Sequence, residues 1–278
     1  MEKPNWKIEI NLRSLALDLF SRVLLTIDAK KSIVENVKVD NSIVYICQES
    51  FQLSDYSEIY TIALGKAAIP MAVGLNSILG NKITKGIVSA PKKTNKLTSN
   101  WRIFKGGHPV PNRSSLKAAR AAIELLKKAN HQKALVIFLI SGGGSAMLEL
   151  PKDERISLKD LQKTNQVLVN CGAKINEINI LRRAISQIKG GGLSQIAPNA
   201  RQVSLIISDT NKGDEKNVAS GPTILSSKIQ NEALTIAKEY QTMGLLPKSV
   251  AEFLCKGIEN ENKFPTINHT FHTLLDNR

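Results

Sequence analysis

The chain has 278 residues, enough for one large or two modest domains with a sizeable core. Hydrophobic residues make up 42% and charged residues 22%, an ordinary globular balance that argues against disorder. Lys and Arg outnumber Asp and Glu 38 to 24, giving +14, yet aromatics reach only 5% and no compact basic block stands out. The excess charge therefore suits acidic or phosphorylated small molecules, and no nucleic-acid partner is expected.

The opening MEKPNWKIEINLRSLALDLF carries charges where a signal peptide needs an apolar core. Leu12, Leu15, Leu19 and Val23 have helical spacing and predict a leading helix over Leu12–Ile27. Ile43–Ile46 is a short strand candidate. Ile59–Leu64 is a stronger one, stopped by Gly65-Lys66-Ala67-Ala68 and followed by a helix to about Gly80, with Pro70 in its first turn. Gly86–Ala90 reads as a strand, Lys92–Asn100 as a basic surface loop and Arg102–Lys105 as an edge strand. Gly106–Asn112 has rigid turn chemistry, and Ser114 or Ser115 is expected to cap an Ala-rich helix to about Ala129.

Ala134–Ile140 is an uncharged run without alternation, as in a strand buried on both faces of a sheet. It breaks into Ser141-Gly142-Gly143-Gly144-Ser145. By pattern alone this is either a tight strand-to-helix turn or a loop whose amides approach an anion. It is neither a Walker P-loop nor GxGxxG. Ser157 and Asp160 predict a capping box opening a helix that Gly172 closes. A second helix is expected over Ile175–Lys189, closed by Gly190-Gly191-Gly192. Val203–Ile207 is a strand ending in Ser208-Asp209, and late helices are expected near Asn231–Met243 and Lys248–Gly257.

Alternating strands and helices predict an α/β fold, a three-layer α/β/α sandwich around a mostly parallel sheet, occupying residues 1–278 as one domain. Cys47, Cys171 and Cys255 are odd in number and far apart, so a disulfide framework and a zinc site are not expected. No stretch reaches the ~18 apolar residues of a membrane helix. A cytoplasmic protein with no membrane segment is the expectation.

Four polar clusters fall where strands end or helices begin: Ser141–Ser145, Gly65-Lys66, the Ile175–Lys189 helix, and Ser208-Asp209 with Gly213-Asp214 and Ser220-Gly221-Pro222-Thr223. Lys66 is either a solvated helix-start residue or a charge for a phosphate or carboxylate. On the third, Ile178, Leu181, Ile185 and Ile188 form an apolar stripe; Asn179, Arg182, Ser186 and Lys189 repeat the same steps one residue later, at its border. That stripe is either an ordinary amphipathic boundary or one side of a cleft. Carboxylates such as Asp209 and Asp214 after a strand suit Mg²⁺ bridging to phosphates, though Asp is also a common turn residue.

In order, Gly65-Lys66-Ala67, Gly107-His108-Pro109-Val110-Pro111, Ser141–Ala146, Glu177-Ile178-Asn179 with Arg182, Ser186–Gly191, Ser208-Asp209 and Ala219–Thr223 resemble the class II glycerate 2-kinases, over about Leu12 to Arg278. The resemblance implies a Rossmann-like domain and ATP-dependent phosphorylation of the 2-hydroxyl of D-glycerate with Mg²⁺. It implies catalytic roles for Lys66, Asp209 and Arg182, with Lys66 stabilising the transferred phosphoryl. Ser141, Gly142, Gly143, Gly144 and Ser145 would cradle an anion. Asn179, Ser186, Lys189, His108 and Ser220 would bind substrate or phosphate, and Asp209 and Asp214 the metal. Departures are Ala63-Leu64-Gly65-Lys66 where the family commonly has Gly-Ala-Gly-Lys, Gly192 where arginine is common, and the loop TNKGDEKNVA after Asp209. Family members also carry a second, MOFRL domain, which the resemblance implies is missing here, so that the chain is expected to be a fragment, a split or decayed gene product, or one that works with a partner, either a separate second domain or a homo-oligomer. The alternative is a non-catalytic domain that binds a small anion or nucleotide.

Overall fold

The computed structural model describes residues 12–21, 28–211, 213–226, 229–240, 243–256 and 265–275. A helix, α1, covers 12–21; the remainder of the expected Leu12–Ile27 helix, residues 22–27, lies outside the described residues. Next come α2 (Ala29–Asn36), capped by the Asp28 carboxylate, and a small antiparallel sheet of β1 (Val37–Asp40), β2 (Ile43–Ile46) and β3 (Glu49–Gln52). Of this hairpin region the sequence reading had only β2.

The main sheet has six parallel strands: β4 (Glu58–Leu64), β5 (Lys85–Ala90), β6 (Trp101–Lys105), β7 (Ala134–Ser141), β8 (Arg201–Ile207) and β9 (His269–Leu275). Their spatial order is β6-β5-β4-β7-β8-β9. The expected α/β sandwich and the edge position of β6 are found; β9 went unread. Every residue of β7 is buried, as its unbroken apolar run requires of a central parallel strand.

Strand residues alternate between two cores. Tyr60, Ile62 and Leu64 with Val136, Phe138 and Ile140 pack against α4 (Arg113–Asn130) and α8 (Gly192–Ile196). Ile59 and Ala63 with Leu135, Ile137 and Leu139 pack against α2, α3 (Ala68–Leu79) and the small sheet. Pro70 does sit in the first turn of α3, where its missing N–H has no intrahelical partner to lose. The cap of α4 is Asn112, not Ser114 or Ser115; its side chain accepts from the Ser115 amide at 2.9 Å while Ser115 returns the bond in a capping box.

Helices α6 (Leu158–Asn170), α7 (Ile175–Ala184), α9 (Ile229–Glu239) and α10 (Lys248–Cys255) build a separate core of their own, around Leu161, Leu168, Leu181, Ala237 and Val250. The capping box of Ser157 and Asp160 opens α6 as expected. Helix α9 ends at Glu239, short of the expected Met243; the expected end of the last helix, Gly257, lies outside the described residues.

The helix predicted over Ile175–Lys189 stops at Ala184. The chain crosses from the sheet to the helical cluster at Leu150–Lys152 and returns beside it at Ile185–Gln187. The Lys152 amide donates to the Ile185 carbonyl (2.9 Å), and Gln187 donates to Leu150 (2.8 Å). Those pairings use the groups that would have continued the helix. Ser186 and Lys189 therefore share no helical face with Asn179 and Arg182.

Candidate active site

Strand β4 leads through α3 to β5 on one side, whereas β7 lies on its other side and is reached through α4. The order reverses between these two strands, and in open parallel sheets the carboxyl edge at that reversal opens a crevice. Gly65-Lys66 and Ser141–Ser145 leave the sheet there, side by side. The Lys66 amide donates to the Gly142 carbonyl (2.9 Å), and the Ala67 amide donates to Ser141 Oγ (3.0 Å). Ser141 is buried and its hydroxyl donates to the Leu64 carbonyl at 3.3 Å, so it braces the two loops. Gly65 has φ +111°, and a Cβ on it would fall 2.3 Å from the Ser141 carbonyl oxygen; only glycine fits.

The triglycine is equally constrained. A Cβ on Gly142 would lie 1.9 Å from Asp209 Oδ2, which places that carboxylate directly over the loop from the end of β8. Gly143, with φ +79°, has His108 and the Lys66 side chain within 3.3 Å of where its Cβ would be. Two separate loops and one strand end thus bring a lysine and a histidine to Gly143 and a carboxylate to its neighbour Gly142. Burial, and then the Lys66 charge, hold the His108 imidazole below the usual histidine range, with Asp209 opposing.

This wall faces the helical cluster across a cleft of about 360 Å³. His108, Gly143, Ser145, Asp209, Asp214 and Ser220 line it with Asn179 and Arg182 of α7, Lys189 and Glu149. Ser145 Oγ lies 3.0 Å from Ser220 Oγ, which in turn donates to Asn179 Oδ1 at 3.1 Å. Ala219 and Ser220 hold left-handed backbone (φ +51° and +62°), uncommon for residues other than glycine and a form of strain. Arg183, buried behind them, secures that conformation. Its guanidinium donates to the Ser220 carbonyl (3.2 Å), the Lys216 carbonyl (2.6 Å) and Asn217 Oδ1 (2.6 Å). Asn217 donates to Asp214 Oδ1 at 2.5 Å.

Arg182 points the other way, its Nε donating to Asn165 Oδ1 at 2.8 Å beside the cleft. Lys189 is buried at the cleft floor and paired with Glu149. Burial pulls the pKa of Lys189 down, with Glu149 counteracting; burial also lowers that of Arg182.

Of the residues expected from sequence, His108, Gly143, Ser145, Asn179, Arg182, Lys189, Asp209, Asp214 and Ser220 line this cleft, and Lys66 has its side chain beside Gly143. Ser186 does not: it is buried and donates to Glu149 Oε1 at 2.5 Å. Ser141, Gly142 and Gly144 shape the loop from beneath. Sequence reading missed Glu149, Arg183, Asn165 and Asn217. Glu149 had a signal, a lone carboxylate among apolar neighbours just after the glycines; Arg183 had none to separate it from Arg182. Among the described residues no three His, Cys, Asp or Glu side chains are grouped to hold a metal, and no helix is long and apolar enough to cross a membrane. The three cysteines are free.

Comparison with known proteins fits this geometry. Residues 15–255 match the family described as domain of unknown function (DUF4147). The glycerate 2-kinase of Pyrococcus horikoshii is 34% identical over 254 residues, covering 91% of this chain and 56% of that protein. The D-glycerate 2-kinase of Thermotoga maritima is 35% identical over 218 residues, covering 78% and 51%. A crystal structure of a Pyrococcus horikoshii protein superposes with a TM-score of 0.82 at 31% identity, over 95% of this chain and 60% of that one. The chain thus spans little more than half the length of these relatives.

Proposed function

The chain belongs to the DUF4147 family, among the glycerate kinases, and on that premise we propose that it is the part of a glycerate 2-kinase that holds glycerate and the transferred phosphoryl group of ATP. The observation that carries the reading is the meeting of Lys66, His108, Gly143 and Asp209 at the reversal point of the sheet, opposite Arg182 and Asn179. Phosphoryl transfer asks for positioning and charge neutralisation more than covalent chemistry, and this cleft supplies both.

In the proposed reaction the 2-hydroxyl oxygen of D-glycerate attacks the γ-phosphorus of ATP. The bond from that phosphorus to the β–γ bridging oxygen breaks, and ADP leaves. Asp209 accepts the hydrogen bond of the attacking hydroxyl and takes its proton. Lys66 stands beside the glycine loop and neutralises charge on the phosphoryl oxygens. Arg182 and Lys189 receive the glycerate carboxylate, and Asn179, Ser145 and Ser220 orient its hydroxyls. The donor set suits Mg²⁺, since Asp209 and Asp214 face one cleft and a nucleotide-bound Mg²⁺ needs only one or two carboxylates. When bound, that ion would neutralise phosphate charge. A cytoplasmic setting would keep the free cysteines as thiols. A further unit, covalent or separate, would close the cleft and exclude water, strengthening each charge contact.

The test is ATP- and glycerate-dependent release of ADP and 2-phosphoglycerate, with this chain alone and mixed with the carboxyl-terminal half of the Thermotoga maritima relative. Turnover in either case, falling about a hundredfold or more in Lys66→Ala, supports the assignment. A folded chain that turns over in neither would end the kinase reading. Glycerate or nucleotide binding without turnover would favour the non-catalytic alternative.

A further inference from the structure

We propose that Glu149 is a positioning residue for glycerate. Its carboxylate fixes the Lys189 ammonium at the cleft floor and leaves Arg182 as the cation that balances the substrate carboxylate. The inference rests on the glycerate reading above.

Glu149 belongs to the strand of chain that leaves the sheet for the helical cluster, and Lys189 to the strand that returns. Both side chains are buried, at 6% and 1% exposure, and Oε2 is in contact with Lys189 Nζ. The other oxygen, Oε1, accepts from Ser186 Oγ at 2.5 Å and from the Leu150 amide at 2.9 Å. Ser186 Oγ also lies 3.2 Å from the Ile188 amide and 3.4 Å from that of Lys189, so the hydroxyl ties the carboxylate to the backbone that carries the lysine. A carboxylate with both oxygens engaged has no freedom to swing into the cleft. Its role there is to aim the lysine.

The pairing divides the work of the cationic side of the cleft. A buried ammonium without a counter-charge is costly and gives up its proton readily. Glu149 offsets that cost, favours the protonated lysine and balances its charge. The groups facing it are Glu149 and, from α7, Arg182, whose positive charge works against protonation. Arg182 donates to a neutral partner, Asn165, and the Glu149 carboxylate acts on it only through space, opposing the effect of burial. Glycerate, a monoanion, then meets two cations that share one carboxylate, a net single positive charge, with the lysine held in place.

Two measurements on the full chain test this. First, with 13C-ε-labelled lysine and the Lys189 signal assigned from its loss in Lys189→Met, Glu149→Gln should lower the midpoint of the Lys189 titration by at least about one pH unit. An unchanged midpoint overturns the proposal. Second, calorimetric D-glycerate affinity in Glu149→Gln should fall about tenfold at about pH 9 and recover toward the wild-type value near about pH 7, while wild type varies little. A loss equal at both pH values would mark a merely structural role and overturn the proposal. Introducing Glu149→Gln into Lys189→Met should change affinity no further; a second full loss would also overturn it. If wild type binds no glycerate, the functional reading fails, while the lysine titration still decides whether Glu149 holds Lys189. Should Glu149→Gln fail to fold, Lys189→Arg serves instead, and a glycerate affinity equal to wild type at both pH values overturns the aiming role.

Discussion

The two walls of the cleft are made in different ways. The sheet wall is backbone architecture. Gly65, Gly142 and Gly143 take conformations or approaches closed to other residues, and Lys66, His108 and Asp209 converge because those loops are pressed together. The helical wall is side-chain architecture, in which the buried Arg183 and Lys189 and the half-buried Arg182 are cations each fixed by oxygen acceptors. Glycine turns are rigid but intolerant. Buried charges tolerate shape changes better, yet losing a partner leaves a polar group stranded.

The sharpest way to break the sheet wall is Gly65→Ala. A methyl group at φ +111° would lie 2.3 Å from the Ser141 carbonyl, where both parties are backbone and neither can rotate aside. A stability loss of about 3 kcal/mol or more is expected by denaturant titration, together with loss of turnover. A near-wild-type midpoint would mean that the loops are not packed as described.

On the helical wall two adjacent arginines should behave oppositely. Arg183→Met strands the Lys216 and Ser220 carbonyls and releases the strained turn, for an expected stability loss of about 2–3 kcal/mol. Arg182→Met should cost under about 1 kcal/mol of stability but weaken glycerate binding about tenfold to a hundredfold. Equal effects in the two variants would erase the distinction between clamp and ligand group.

The same contrast explains what could be read from sequence. A turn needing positive φ announces itself as glycine, and a strand buried on both faces as an unbroken run such as LVIFLIS, so β4, β7, the triglycine and Lys66 were legible. The helical wall was not. Ile178, Leu181, Ile185 and Ile188 keep helical spacing, but the Ile185 carbonyl and Gln187 amide pair with Leu150–Lys152, a contact over 30 residues away that periodicity does not carry. Lys189 reached the cleft all the same, from a loop. Strand β9 was missed because HTFHTLL is a half-exposed edge with polar residues on both faces.

The smallest expected difference is in pH response. His108, on the sheet wall, is held below the usual histidine range by burial and by Lys66. The unfolded chain therefore takes up this proton first as pH falls, and the stability present above the unfolded pKa is lost toward the folded one. Lys189, on the helical wall, is also lowered by burial, but from the lysine range, so its contribution is present above the unfolded lysine pKa and begins to be lost as pH falls below it. The ring of His108 is largely solvated, and the expected loss between about pH 7.5 and 5.5 is at most about half a kcal/mol. Replacing it by glutamine should remove that part of the acid slope. His269, pushed down to about 4 by burial and then by Arg201, gives both proteins the same larger acid loss, which cancels in the difference. Lys189→Met should remove the loss that begins just below the unfolded lysine pKa. Parallel acid slopes for wild type and His108→Gln would show that the imidazole does not feel Lys66, and would loosen the cluster at Gly143 from which the sheet wall draws its charge.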